Sequence, residues 1–454
     1  MASFFTYTII ISLLTGVIVD IPSAIASILL YTIGATLVYC CNAKEKERLV
    51  KIYSVSYVSS LIYTLFCYIY MVAHGYDLLL IWDTSWFMNE MEDAIHGAGT
   101  ISEAIEGIWK DYDILLRSKA GYMTFLAFVG FWANQIGANH YFAIQLASLT
   151  ICSCGSVVVY KLLSYYINDK SYVFQHAVII SLFSLYWQYS TLILRDGLTA
   201  LGFYYIIWLL HKHPDVYTLI KFFIVVLVLI TLRTETGFAS IMFFPMYFLI
   251  DKSRVKSNRM MLLILLIMIL TVAIIIYKNF EVLFTVYQDN SEAYFSDTGS
   301  GTISFLNSIP IVGRVLSLFY GLISPMPCWF YMTTDYQVQE LIRPNCYNIM
   351  QFPNAISIAF NTYIVCYLIN YLYHNSFKEV QAKILKIVMI PCAVFMLLQS
   401  GIAEPRRMMG VFVVFYVFWA IVYRQVSPSF NRSTFGLFMM FFVLLQVVGV
   451  IRYL

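Results

Sequence analysis

The chain has 454 residues, of which 61% are hydrophobic and 12% charged, against ~45–50% and ~25% in an ordinary soluble protein. That balance excludes a soluble globule, which needs more polar surface, and a disordered chain, which needs far less apolar content. A net charge of only +3 leaves no basic footprint for nucleic acid, so an integral membrane protein is the class left.

Apolar runs separated by polar clusters predict thirteen spans at ~20 residues or slightly fewer each. In chain order they are Phe4–Val19, Pro22–Cys41, Ile52–Ala73, Phe142–Tyr160, Val173–Ser190, Leu192–Leu210, Leu219–Leu232, Thr236–Ile250, Met260–Tyr277, Ile356–Tyr373, Ile384–Ser400, Met408–Tyr423 and Thr434–Val450. The runs are rich in Ile, Val, Phe and Tyr but lack the two-residue alternation of a membrane barrel, so they read as helices. Phe4–Val19 with the following Ser23–Ser27 has the outline of a signal peptide. No basic residue precedes it and the small residues fall inside the next apolar run, so it is kept as a span.

Basic residues in short loops set the orientation. The runs 42–51, 251–259 and 378–386 are placed in the cytoplasm, with the N-terminus. A further apolar run, Tyr122–Ile136, would break this parity if it crossed; at ~15 residues it suits a re-entrant or interfacial external helix. The expected fold is therefore all-α: a polytopic integral membrane protein of about 13 transmembrane helices plus that external helix. Residues 1–454 form a single membrane domain with external loops at about 74–140 and 278–355. Sorted by side, the charges divide into 17 Lys+Arg with 6 Asp+Glu inside and 11 Lys+Arg with 19 Asp+Glu outside. Acidic residues contribute little to orientation, so their external excess points to function at the outer face.

Within the first external segment, Thr100-Ile-Ser-Glu103 has the capping-box pattern, followed by Ile101, Ala104, Ile105, Ile108 and Trp109 at helical spacing. This predicts a short amphipathic helix on the outer bilayer surface. Ahead of it, Asp83 is either a helix cap or a carboxylate held at the membrane surface, able to take a proton from a hydroxyl. In the second segment, Ile303–Leu322 carries Arg314 and is apolar enough to dip into the bilayer. Cys328 and Cys346 share that segment and would be available for a disulfide in an oxidising compartment. Cys152 and Cys154 lie two apart on a helix, do not share a face, and read as small buried hydrophobes.

The strongest signals are charges embedded in apolar sequence: Arg195-Asp196 in one span, Arg233-Thr-Glu235 in a tight turn, and Glu404-Pro-Arg406-Arg407 in another turn. Ionisable groups at membrane depth are expensive and point to function, although an arginine at a helix end also snorkels to the interface for purely structural reasons. Together with Asp83 they gather at the outer face. Guanidinium forks match phosphate oxygens and keep their charge, while carboxylates serve as a general base. The combination suits a reaction in which a lipid-borne phosphate or diphosphate departs.

This layout resembles the multispanning O-antigen and exopolysaccharide repeat-unit polymerases, Wzy-type or EpsG-like, which look like relatives of the GT-C glycosyltransferases. The matching features are the Asp83 region, the external Gly121-Tyr122–Ile136 helix, Leu194-Arg195-Asp196-Gly-Leu-Thr-Ala-Leu201, the Arg233-Thr-Glu-Thr-Gly237 turn and Glu404-Pro-Arg-Arg407. Glu235 stands where many EpsG-like proteins have His. The resemblance implies transfer of a growing glycan from undecaprenyl diphosphate to a new lipid-linked repeat unit, at the outer face of a bacterial inner membrane. It implies that Arg195, Asp196, Arg233, Arg406 and Arg407 bind substrate and that Asp83, Glu235 or Glu404 is the base. With arginines in the place of a divalent ion, no metal and no other cofactor is expected. The lipid bilayer and the lipid-linked oligosaccharide are the expected partners, and a chain-length regulator protein is a further candidate. Competing readings are a GT-C enzyme adding single sugars from a polyprenyl phosphate, a flippase for the same lipid-linked oligosaccharide, and an O-acyltransferase, for which His176 is the weak candidate.

Overall fold

The computed structural model describes residues 2–40, 45–74, 82–111, 119–212, 215–246, 250, 270, 309, 312–324, 328–329, 336–338, 341–343, 352–375, 379–399 and 405–453. Their regular structure is helical, apart from an antiparallel hairpin of three-residue strands, β1 (Tyr336–Val338) and β2 (Leu341–Arg343). Six helices are long and apolar enough to cross a membrane: Ile21–Cys40, Lys46–Ala73, His140–Tyr166, Phe352–His374, Arg406–Gln425 and Pro428–Ile451; Thr6–Ile18 and Val216–Leu232 are shorter apolar helices. The expected span Met260–Tyr277 lies outside the described residues except for Leu270. Thr236–Ile250 does not form one helix. A helix ends at Ser240, one turn of 3-10 helix covers Ile241–Phe243, and a turn follows at Phe244-Pro245.

The N-terminal half supplies α1 (Ala2–Ile18), α2 (Ile21–Cys40), α3 (Lys46–Ala73), α4 (Trp82–Ile95), α5 (Ile101–Asp111), α6 (Ala120–Ile136), α7 (His140–Cys152), α8 (Cys154–Tyr166), α9 (Lys170–Phe183), α10 (Leu185–Tyr189), α11 (Arg195–Leu210), α12 (Val216–Leu232) and α13 (Thr234–Ser240). The C-terminal half supplies the helices Val312–Ile323, Phe352–His374, Lys383–Gln399, Pro405–Gln425 and Pro428–Tyr453. Several starts are capped by a side-chain carboxylate or amide. Asn139 accepts from the Phe142 N–H, Asp169 from Ser171 and Tyr172, and Asp215 from Thr218. One predicted span breaks at a serine that diverts the backbone: the run after Lys170 ends at Ser184, which is extended. The 27-residue run His140–Tyr166 keeps helical dihedrals through Ser153, whose hydroxyl donates to the Leu149 carbonyl at the junction of α7 and α8.

Hydroxyls join the first helices. Tyr57 donates to the Ser27 carbonyl at 2.9 Å, Tyr31 pairs with Ser54 Oγ at 2.8 Å, and Tyr53 donates to the Thr150 carbonyl at 3.2 Å. Interhelical hydrogen bonds of this kind hold helices together where lipid removes the hydrophobic drive. The last helix turns Met440, Leu444 and Val448 outward at 67%, 58% and 57% exposure; an apolar stripe this continuous is suited to lipid.

One end of the bundle is pinned by polar contacts. Glu45 is bonded to Lys170 at 3.1 Å and accepts from the Tyr160 hydroxyl, Arg424 meets Asp169 at 3.7 Å, and Tyr166 meets His211 at 2.7 Å. From this shared level α3 runs 28 residues but α11 only 16. At 1.5 Å per residue, α11 stops roughly 18 Å short of α3.

The short helices are covered by α4, α5 and α6. Their core joins Phe87, Met91, Ala104, Ile108, Tyr122 and Leu126 to Ile193, Leu194 and Leu232. The capping box forms, with the Glu103 N–H donating to Thr100 Oγ1 and the Gly99 N–H to Glu103 Oε2 at 2.8 Å. The expectation of α5 as a helix lying on the bilayer is corrected: Ala104 and Ile108 are buried against protein. Helix α6 keeps to the Arg195 side of the bundle. Its start abuts Thr231, at the far end of α12 from the pinned level, and its end leads to Asn139, whose N–H donates to Asp20 between α1 and α2.

Candidate functional site

The site is built where short helices start and stop. Leu194 is extended, with φ −139° and ψ 142°, and turns the chain into α11 at Arg195. Arg233 is likewise extended, between α12 and α13. A Cβ at Gly237 would come within 2.3 Å of the Ile230 nitrogen, so only glycine lets α13 fold back this tightly on α12. The result places Arg233 Nη1 2.8 Å from Asp196 Oδ1, with both side chains buried. Arg195 Nη1 donates to the Leu232 carbonyl at 3.3 Å, the C-terminal end of α12 where a cation opposes the helix dipole.

The third contributor is the helix Pro405–Gln425. Gly410 packs closely on Ala200 and Phe203, where an added Cβ would lie 3.0–3.3 Å from their atoms, which sets the two helices side by side. One turn back from Gly410 is Arg406, and one turn back from Ala200 is Asp196. The guanidinium groups of Arg233, Arg406, Arg195 and Arg407 all lie within electrostatic reach of Asp196. The starts of α11 and the Pro405 helix and the turn between α12 and α13 therefore lie within electrostatic reach of Asp196, with Tyr122, in the first turn of α6, close by. Such an arrangement of fixed positive charge can hold an anion and oppose charge that develops on it.

Five of the expected residues, Arg195, Asp196, Arg233, Arg406 and Arg407, are brought together. Asp83 is the second residue of α4, inside the first turn, and Glu235 the second residue of α13; their side chains, like Glu404 as a whole, lie outside what is described. Cys328 is buried and its N–H donates to Gln446, while Cys346 is outside the described residues. His176 stacks on Tyr172 at 3.8 Å and bonds that residue's carbonyl through Nδ1, a structural placement. Among the described residues no three His, Cys, Asp or Glu side chains are grouped as metal ligands.

Two features escape the sequence reading. Tyr122 lies beneath α4 with its hydroxyl buried and no hydrogen-bond partner among the described residues; only packing reveals it. Asp111-Tyr112-Asp113 has the Asp-x-Asp spacing associated with metal-dependent GT-C donor sites. Asp111 ends α5, and Asp113 lies outside the described residues. That motif was legible from spacing alone. Comparison with family models, curated proteins and solved structures returns no match to this chain.

Proposed function

We propose that this chain is a membrane glycosyltransferase that polymerises undecaprenyl-diphosphate-linked oligosaccharide repeat units at the outer face of a bacterial inner membrane. In this reading thirteen spans cross the membrane and the N-terminus is cytoplasmic. The observation that carries it is the convergence of Arg195, Arg233, Arg406 and Arg407 on one buried carboxylate, Asp196, at the starts of two helices and the turn after a third.

A carboxylate among Asp83, Glu235 and Glu404 takes the proton from the acceptor sugar hydroxyl. That oxygen bonds to the anomeric carbon of the lipid-linked glycan as the carbon–oxygen bond to the diphosphate breaks. The electron pair leaves on the diphosphate, where the arginines stabilise it. Asp196 holds the Arg233 fork in place, because a buried guanidinium is kept only when paired. Helix-rich coverage of the site by α4–α6, with most of the chain around residues 74–140 folded into it, favours an enzyme over a flippase, which would need an open central path.

The test is deletion of the protein followed by electrophoresis of surface glycan. Loss of polymerisation leaves one repeat unit on the acceptor, and loss of translocation leaves none. An intact ladder, or no glycan at all, would overturn the reading.

A further inference from the structure

We propose that the Tyr122 hydroxyl is a direct ligand of the anion, donating a hydrogen bond to a non-bridging phosphate oxygen beside Arg195. The inference rests on the reading of the site as a diphosphate site and adds a residue to it.

Three observations support the assignment. Tyr122 is fully buried, yet its hydroxyl has no hydrogen-bond partner among the described residues. A buried hydroxyl without a partner loses its hydration for nothing in return, so its retention asks for a reason. The ring cannot easily turn away: Phe87 meets it edge-on at 4.9 Å, Phe125 stacks at 6.1 Å, and Gly121 seats the preceding turn against Thr231. Finally, the charged groups within electrostatic reach of the hydroxyl are Asp196 and Arg195. Asp196 Oδ1 already accepts from Arg233, and no bond joins it to Tyr122.

A buried donor with no acceptor among the described residues, within electrostatic reach of the Arg195 guanidinium, calls for one. The group that fits is an anion with several oxygens, since it can accept from the phenol and the arginines together. Gln145 and Ser148 extend the polar strip along α7. Gln145 Nε2 donates to the Thr191 carbonyl at 3.0 Å, while Gln145 Oε1 and Ser148 Oγ are buried with no partner among the described residues. Those two atoms offer acceptors to water or to a sugar hydroxyl next to the phosphate.

The experiment uses the purified full chain in detergent, with farnesyl diphosphate, inorganic pyrophosphate and farnesol as probes. Binding is read by calorimetry and folding by thermal unfolding. Tyr122→Phe is expected to weaken both diphosphates by about tenfold, as for one hydrogen bond to a charged group, to leave farnesol unaffected, and to unfold at the same or a higher temperature. Equal affinity in the variant and the wild type overturns the Tyr122 assignment while the diphosphate site stands. A loss confined to the prenylated probe, or accompanied by a lower unfolding temperature, also overturns it, because the ring then acts on the tail or on the fold. Absence of diphosphate binding by the wild type overturns the assignment and the diphosphate site together.

Discussion

Arg233 Nη1 and Asp196 Oδ1 lie 2.8 Å apart with their side chains 6% and 4% exposed, so each offsets the cost of burying the other. Replacing Asp196 by Ala leaves a buried cation and is expected to cost about 3–5 kcal/mol. Asp196→Leu with Arg233→Met should recover most of that stability, because an apolar pair of similar volume needs no desolvation, without restoring polymer synthesis. Unfolding midpoints in detergent for the three chains, set beside glycan ladders, check both halves. A stable Asp196→Ala chain would show the pair to be solvated.

Arg195 binds the end of α12 and faces the same carboxylate field. Arg195→Ala is expected to copy the deletion, with a single repeat unit on the acceptor. Arg195→Lys should restore only part of the ladder, since an ammonium keeps the charge but loses the planar fork. A normal ladder in Arg195→Ala would remove the residue from the site.

At Gly121 a Cβ would meet Thr231 Oγ1 at 2.3 Å and Thr231 Cβ at 2.6 Å. Gly121→Ala should therefore push α6 off α12, at a cost of about 1–3 kcal/mol, and reduce polymer length or yield. Thr231→Gly in the same chain should relieve the clash. Failure of the second substitution to recover the ladder would show that α6 does not seat the site through this contact.

At the pinned end, burial pushes the His211 imidazole down to about 4, against a smaller opposing effect of the Ile207 carbonyl, from an ordinary value of 6.5. Its Nε2 faces the Tyr166 hydroxyl. Between those two values the unfolded chain holds a proton that the folded chain lacks, so stability is complete above ~6.5 and falls with pH towards ~4, by on the order of 3 kcal/mol. His211→Gln does not titrate and should flatten the slope. Chemical denaturation across that window decides it, and an unchanged slope would assign the pH dependence to another group.

On the proposed function, polymerisation by purified protein from lipid-linked repeat units is expected to survive EDTA, with guanidinium groups in the place of a divalent ion. Asp111-Tyr112-Asp113 supplies the competing outcome. Activity lost to EDTA and regained with a divalent ion would direct attention to that motif, and Asp111→Asn and Asp113→Asn would then be inactive.

The charged half of the site was legible because an Arg-Asp pair inside an apolar run has few structural excuses. Arg195, Asp196, Arg233, Arg406 and Arg407 stand out on that ground alone, and their meeting follows from the alternation of spans. The helix break at Ser184 was not legible, since a serine in a membrane helix is as often tolerated as not and tertiary contacts decide. The periodicity of α5 showed an apolar face in need of cover but not whether lipid or α6 provides it. Tyr122 is invisible for a third reason: among 36 tyrosines, nothing local separates a belt residue from a buried one.

The mismatch in helix length also shapes how far the site can be felt. With α11 starting roughly 18 Å below the far end of α3 and α4–α6 packed over it, the arginines are set in low-permittivity protein. Charges so placed act over a longer range than charges on an open face, so a dilute anion is drawn in from beyond contact range. Mobile salt blunts that pull less than it would on an open face. Capture of a scarce anionic headgroup should accordingly tolerate ionic strength that abolishes ordinary surface attraction.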